Sequence, residues 1–72
     1  MSRTKSSVSN KVREMRFLRG EMTQEQLAKE IGVSRQTVIA IEQGRFCPSL
    51  ESALRMARVF AAPVDAIFSL ED

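Results

Sequence analysis

Apolar residues recur along this chain at helical spacing, and Gly, Pro and small polar residues interrupt the recurrence at regular intervals. Val12, Met15 and Leu18 are three apart, which predicts a first helix that begins near Ser9 or Asn10, either able to cap free amides, and ends at about Arg19 before Gly20. Thr23-Gln24-Glu25-Gln26 has the form of a capping box, in which the threonine hydroxyl and the glutamine side chain satisfy backbone amides reciprocally. A second helix over about 24–31 follows, with Leu27, Ala28 and Ile31 turned inward. Gly32 stands where a helix end needs the left-handed conformation, Val33 can turn inward, and Ser34 is a ready N-cap. A third helix is predicted over about 35–43, ended by Gly44, with Val38 and Ile41 facing the core.

After Pro48, Ser49 caps a fourth helix whose apolar stripe reads Leu50, Ala53, Leu54, Ala57 and Phe60. Pro63 suits the first turn of a short fifth helix through Phe68. The fold class that follows is all-α, a compact bundle of five helices with no sheet. Residues 1–8 have almost nothing to bury and are expected to form a flexible basic arm, leaving 9–72 as the folded domain.

Composition narrows the picture. Seventy-two residues make one domain, and a domain this small buries only about 60% of the surface of its unfolded chain. Cys47 is the single cysteine, no apolar leader opens the chain, and the longest apolar run covers only residues 59–64. Some 20 residues are needed to span a bilayer, so the expectation is a cytoplasmic protein without disulfides or membrane attachment. His and Tyr are absent. With neither these, nor a Gly-rich phosphate loop, nor paired cysteines for a metal, the chain is not expected to be an enzyme or to need a cofactor.

Charge is distributed unevenly. Residues 1–20 carry Arg3, Lys5, Lys11, Arg13, Arg16 and Arg19 against Glu14, a net +5, while the other 52 residues hold five basic and eight acidic groups, a net −3. A basic first helix can face a polyanion, and a solvated face is the alternative for Arg13 and Arg19. Arg3 and Lys5 can follow a phosphate backbone or simply solubilise the arm.

The chemistry gathers around the third helix. Two helices joined by a tight turn at Gly32, with small Ala28 allowing close approach, match a helix-turn-helix. Arg35 and Gln36 fall in the first turn of the third helix, where side chains reach furthest into a major groove; Arg pairs bidentately with guanine and Gln with adenine. Ile39 and Ala40, apolar on the same outer face, can meet thymine methyl groups or pack on a neighbour. Arg45, Gln43 and Ser49 with the amides it precedes are expected to contact phosphates.

These residues resemble the Cro/repressor-like, XRE-type helix-turn-helix regulators, through Thr23-Gln24-Glu25-Gln26-Leu27-Ala28, Gly32-Val33-Ser34-Arg35-Gln36-Thr37-Val38 and Ile41-Glu42-Gln43-Gly44-Arg45. The resemblance covers about residues 10–70. It implies a lambda-repressor-like DNA-binding domain in which Gln24 binds a phosphate and braces Gln36, Ser34 adds a phosphate contact, and Arg16 and Glu42 form an internal ion pair. Two departures stand out. Gly20-Glu21-Met22 lengthens the first connection by one residue, and Ala40 replaces a position that is often polar.

One reading helix covers only a few base pairs, so a homodimer on a pseudo-palindromic operator in double-stranded DNA is expected, with readers about 34 Å apart. Val64, Ile67, Phe68 and Leu70 are the candidate dimer residues. Repression by steric occupation is the expected mode. A protein-interaction module, such as an antitoxin or a partner-recruiting subunit, is the alternative, which fold alone does not exclude. Cys47, beside the phosphate-contacting loop, is either an idle thiol or a point at which oxidation weakens DNA binding.

Overall fold

The computed structural model describes residues 7–71. In chain order these form β1 (Val8–Asn10), α1 (Val12–Leu18), α2 (Gln24–Ile31), α3 (Arg35–Glu42), α4 (Leu50–Phe60), α5 (Val64–Ile67) and β2 (Phe68–Leu70). The five predicted helices are present around one core of Val12, Leu27, Ala28, Ile31, Val38, Ile41, Ala53, Met56, Phe60, Ile67 and Phe68.

The local signals for α2 and α3 act as their chemistry requires. Thr23 Oγ1 accepts from the Gln26 amide at 3.0 Å while Gln26 Oε1 accepts from the Thr23 amide at 2.8 Å, closing the capping box. Gly32 adopts φ 76°, and the amides of Gly32 and Val33 both donate to the Ala28 carbonyl, so the chain turns within two residues. Ser34 Oγ then accepts from the Thr37 amide at 3.1 Å and starts α3. Ser49 does the same for α4 through the Ser52 amide, also at 3.1 Å.

The expectation of no sheet is corrected. β1 and β2 form an antiparallel ribbon in which Val8 faces Leu70, Ser9 faces Ser69 and Asn10 faces Phe68. Amides from Lys11 to the Ile67 carbonyl, 2.9 Å, and from Glu71 to the Ser7 carbonyl, 2.7 Å, extend it at both ends. Val8 therefore belongs to the fold rather than to the arm; the remainder of the predicted arm, with Arg3 and Lys5, lies outside the described residues except for Ser7. Ser9 is a strand residue, and α1 starts at Val12. Asn10 still serves the helix from two residues upstream, since its Oδ1 accepts from the Val12 amide at 3.1 Å while its Nδ2 donates to the Ile41 carbonyl at 2.8 Å.

Three predicted core leucines lie outside the core. With about 100° between successive helix residues, Val12, Met15 and Arg16 share a face, but Leu18 falls about 120° round from Val12 and is 80% exposed. On α4 the buried face is Ser52, Ala53, Met56 and Phe60, rotated from the predicted stripe, so Leu50 and Leu54 face outward at 75% and 54% exposure. Pro63 precedes α5 as its cap rather than lying inside it, and Phe68 opens β2.

Candidate nucleic-acid interface

The outer face of α3 is built by the two helix starts and the Gly32 turn. α2 and α3 are the most extensively packed pair of elements, with Val38 and Ile41 buried against the core. That packing fixes which α3 side chains face away from the core. Arg35 and Gln36 are exposed in its first turn, Ile39 and Ala40 are half-buried one turn on, and Gln43, its C-cap, is exposed. Arg45 is exposed just beyond, its amide held by the Ala40 carbonyl at 3.0 Å. Ser34 and Ser49 are exposed as well, though each hydroxyl is committed to its cap.

Behind this face runs a polar network joining three helices. Arg16 Nε lies 2.6 Å and Nη2 3.2 Å from the two Glu42 carboxylate oxygens, and both side chains are 8% exposed. Arg16 Nη1 also donates to the Met22 carbonyl at 2.7 Å, which anchors the connection between α1 and α2. A carboxylate at the last position of α3 opposes the negative end of that helix dipole. The guanidinium fork offsets this, and it also cancels a negative charge that would otherwise sit beside any polyanion docked on α3. Gln24 Nε2 completes the network with a 3.1 Å bond to Glu42 Oε1. In this structure the bond recorded for Gln24 therefore runs to Glu42, not to Gln36.

A cleft of about 580 Å³ opens alongside, bounded by Arg13 and Phe17 of α1, Gln24 at the start of α2, and Ile39 and Gln43 of α3, with Arg16 and Glu42 also lining it. Phe17 is half exposed, and the guanidiniums of Arg13 and Arg16 lie 5.6 and 5.4 Å from its ring centroid. Sequence reasoning gave Phe17 no role, because it falls off the inward stripe of α1. Its signal was an aromatic residue flanked by arginines one and four positions away. Asn10 was read only as a helix cap. Its second bond, to the last turn of α3, joins elements 31 residues apart and has no local signature.

The proposed dimer residues divide. Ile67 is fully buried and Phe68 is 9% exposed, so both close the core of a single chain and are corrected as dimer contacts; a short last helix followed by a strand turns its apolar residues inward. Val64 is half-buried against the core, and Leu70 is 76% exposed at the end of the ribbon.

Comparison with known proteins fits this geometry. A helix-turn-helix family model matches residues 12–67. The chain belongs to the XRE-type helix-turn-helix family of transcriptional regulators. It is 48% identical over 65 residues to an HTH-type transcriptional regulator of Methanocaldococcus jannaschii, covering 90% of this chain and 97% of that one. Similarity to the HTH-type regulator YgzD of Bacillus subtilis is 43% over 65 residues, with the same coverage. The cryptic phage CTXphi transcriptional repressor RstR of Vibrio cholerae is 34% identical over 61 residues, 85% of this chain and 54% of the repressor. No helix among the described residues is long and apolar enough to cross a membrane.

Proposed function

We propose that this regulator binds double-stranded DNA as a homodimer, with α3 in the major groove of a pseudo-palindromic operator, and represses transcription by occupying that site. The observation that carries the reading is the exposed pair Arg35 and Gln36 in the first turn of a fully capped α3. These side chains can bond guanine and adenine edges bidentately, while Ile39 and Ala40 offer methyl contacts. Gln24, Ser34, Gln43, Arg45 and Ser49 act as phosphate contacts that set the register, Ser34 through its hydroxyl proton when Thr37 Oγ1 is the donor between them, and Ser49 through the amides it precedes. For Gln24 this requires the second N–H of its side-chain amide, the first being held by Glu42 Oε1, or exchange of that bond. The resemblance to RstR, a repressor by name, favours repression over activation. The role is non-enzymatic and cytoplasmic, needs no cofactor, and is controlled by concentration, degradation or a separate partner.

Two exposed surfaces suit the dimer contact: Leu70 with the edge of Val64, and the Leu50–Leu54 row, whose side chains are neighbours one turn apart on α4. Selection of bound sequences from a random DNA pool at two salt concentrations tests the whole reading. The expected result is an enriched site with two-fold symmetry and half-sites about one helical turn apart. A flat pool would refute operator recognition and favour the protein-interaction module, for which Ile39, Leu50 and Leu54 supply apolar surface.

A further inference from the structure

Arg13 is the one cation of the α3-side cleft that no carboxylate holds among the described residues. Arg16, its neighbour one turn on, is bound in a buried fork with Glu42. Arg13 instead lies 5.6 Å from the centroid of Phe17, a half-exposed ring that lines the same cleft. A guanidinium seated on an aromatic face keeps its donors available, since the attraction comes from the ring's quadrupole and consumes no N–H group. The cleft also contains Gln24 and Gln43, on α2 and α3. A sugar-phosphate strand that touches both glutamines borders the cleft that Arg13 and Phe17 also line. Glu21 on the rim is the opposing charge, because Glu42 is already neutralised.

We infer that Arg13, positioned by Phe17, grips a backbone phosphate and extends the DNA contact from α2 and α3 onto α1. This rests on the proposed DNA binding. A charge-assisted bond from a pre-seated guanidinium to a phosphate oxygen adds affinity without adding sequence preference. Phe17 acts through Arg13, as a positioning residue, and Glu21 opposes the strand.

The test is the affinity of the full chain for a random-sequence 24-base-pair duplex, by fluorescence anisotropy, between 50 and 200 mM salt. Each lost phosphate contact flattens the slope of log affinity against log salt by about 0.9, which makes the change over this fourfold salt range about 3.5-fold smaller per protomer. Arg13→Gln is expected to show that loss, Arg13→Lys to keep the slope, and Glu21→Gln to bind more tightly. Phe17→Leu should weaken binding alone but add nothing to Arg13→Gln. Arg58→Gln, which removes the same charge from the last turn of α4, serves as the control. All the altered residues are exposed, and helical circular dichroism checks that each variant is folded. If Arg13→Gln keeps the wild-type slope, or Arg58→Gln flattens it equally, the inference fails while the DNA reading stands. A wild-type chain that does not bind the duplex at 50 mM salt refutes that reading and this inference together.

Discussion

Substituting Glu42 by Gln keeps the volume of the side chain, removes its charge and turns one acceptor into a donor. Three donors converge on that carboxylate: Arg16 Nε at 2.6 Å, Arg16 Nη2 at 3.2 Å and Gln24 Nε2 at 3.1 Å. At least one would then face another N–H group, and the Arg16 guanidinium, only 8% exposed, would keep its charge with no anion beside it, only neutral acceptors, the Met22 carbonyl and the one remaining amide oxygen. Breaking a buried pair from one side costs about 3–5 kcal/mol, mostly because an uncompensated charge is stranded. A domain of 72 residues has about 4–11 kcal/mol in total at 0.05–0.15 kcal/mol per residue. Glu42→Gln is therefore expected to remove a quarter or more of the stability, about 3 kcal/mol. With a urea m-value near the low end for small proteins, the midpoint would fall by about 2–3 M. The chain has no Trp or Tyr, so the helical circular dichroism band is the natural probe. The double variant Arg16→Met, Glu42→Met should recover to within about 1 kcal/mol of wild type, because two apolar side chains strand no charge and only two neutral groups lose a partner, the Met22 carbonyl and the half-buried Gln24 amide. A Glu42→Gln variant within 0.5 kcal/mol of wild type, or a double variant worse than the single one, would refute this reasoning.

Other outcomes follow from the same structure. Gln36→Ala should lose about 1–3 kcal/mol on a selected operator and relax sequence choice, whereas Arg45→Ala should weaken all duplexes alike and flatten the salt slope; anisotropy on specific and random duplexes separates them, and equal losses for Gln36→Ala on both would contradict its base-reading role. Ala61 caps α4 at φ 52°, a left-handed conformation that costs an L-residue about 1–2 kcal/mol. Ala61→Gly should therefore gain up to about 1 kcal/mol in urea unfolding after the entropy of the unfolded glycine is subtracted, and a net loss would mean that the strain is relieved by other means. In sedimentation, Leu54→Arg or Leu70→Arg should convert a dimer to a monomer, according to which exposed surface forms the contact; a dimer that survives both changes together excludes the two surfaces. Ser34→Ala should cost about 1 kcal/mol by leaving the Thr37 amide uncapped, measured by thermal unfolding.

The parts of this fold that could be read from sequence are those with local chemistry. Thr23 and Gln26, Gly32 and Ser34 fix their turns through bonds spanning three to five residues, and a short window contains both partners. The rotation of a helix about its axis is different: Leu50 and Leu54 made a convincing stripe, but Met56 and Ser52 were turned inward by what α4 packs against. The ribbon was invisible because each strand has three residues, too few for a period of two to register, and the partners are about 60 positions apart. At the site, the exposure of Arg35 and Gln36 follows from α3's phase, set by Val38 and Ile41. The Arg16–Glu42 pair spans 26 residues and was suggested only by family resemblance, while the cleft at Phe17 depends on how three helices meet.

The β1–β2 ribbon has a further consequence for the topology of the chain. The Glu71 amide reaches the Ser7 carbonyl, so the backbone comes nearly full circle, and anything fused before residue 7 or after residue 71 departs from one spot. A short linker across that spot would make a covalent ring, which could be reopened in the exposed turn at residues 19–21 as a circular permutant with the same core. In the linear chain, closing a loop of about 60 residues carries an entropy cost of about 3–4 kcal/mol. The permutant would replace that long closure with a local hairpin, and its faster folding would identify the ribbon as the slow step in the assembly of an otherwise locally wired domain.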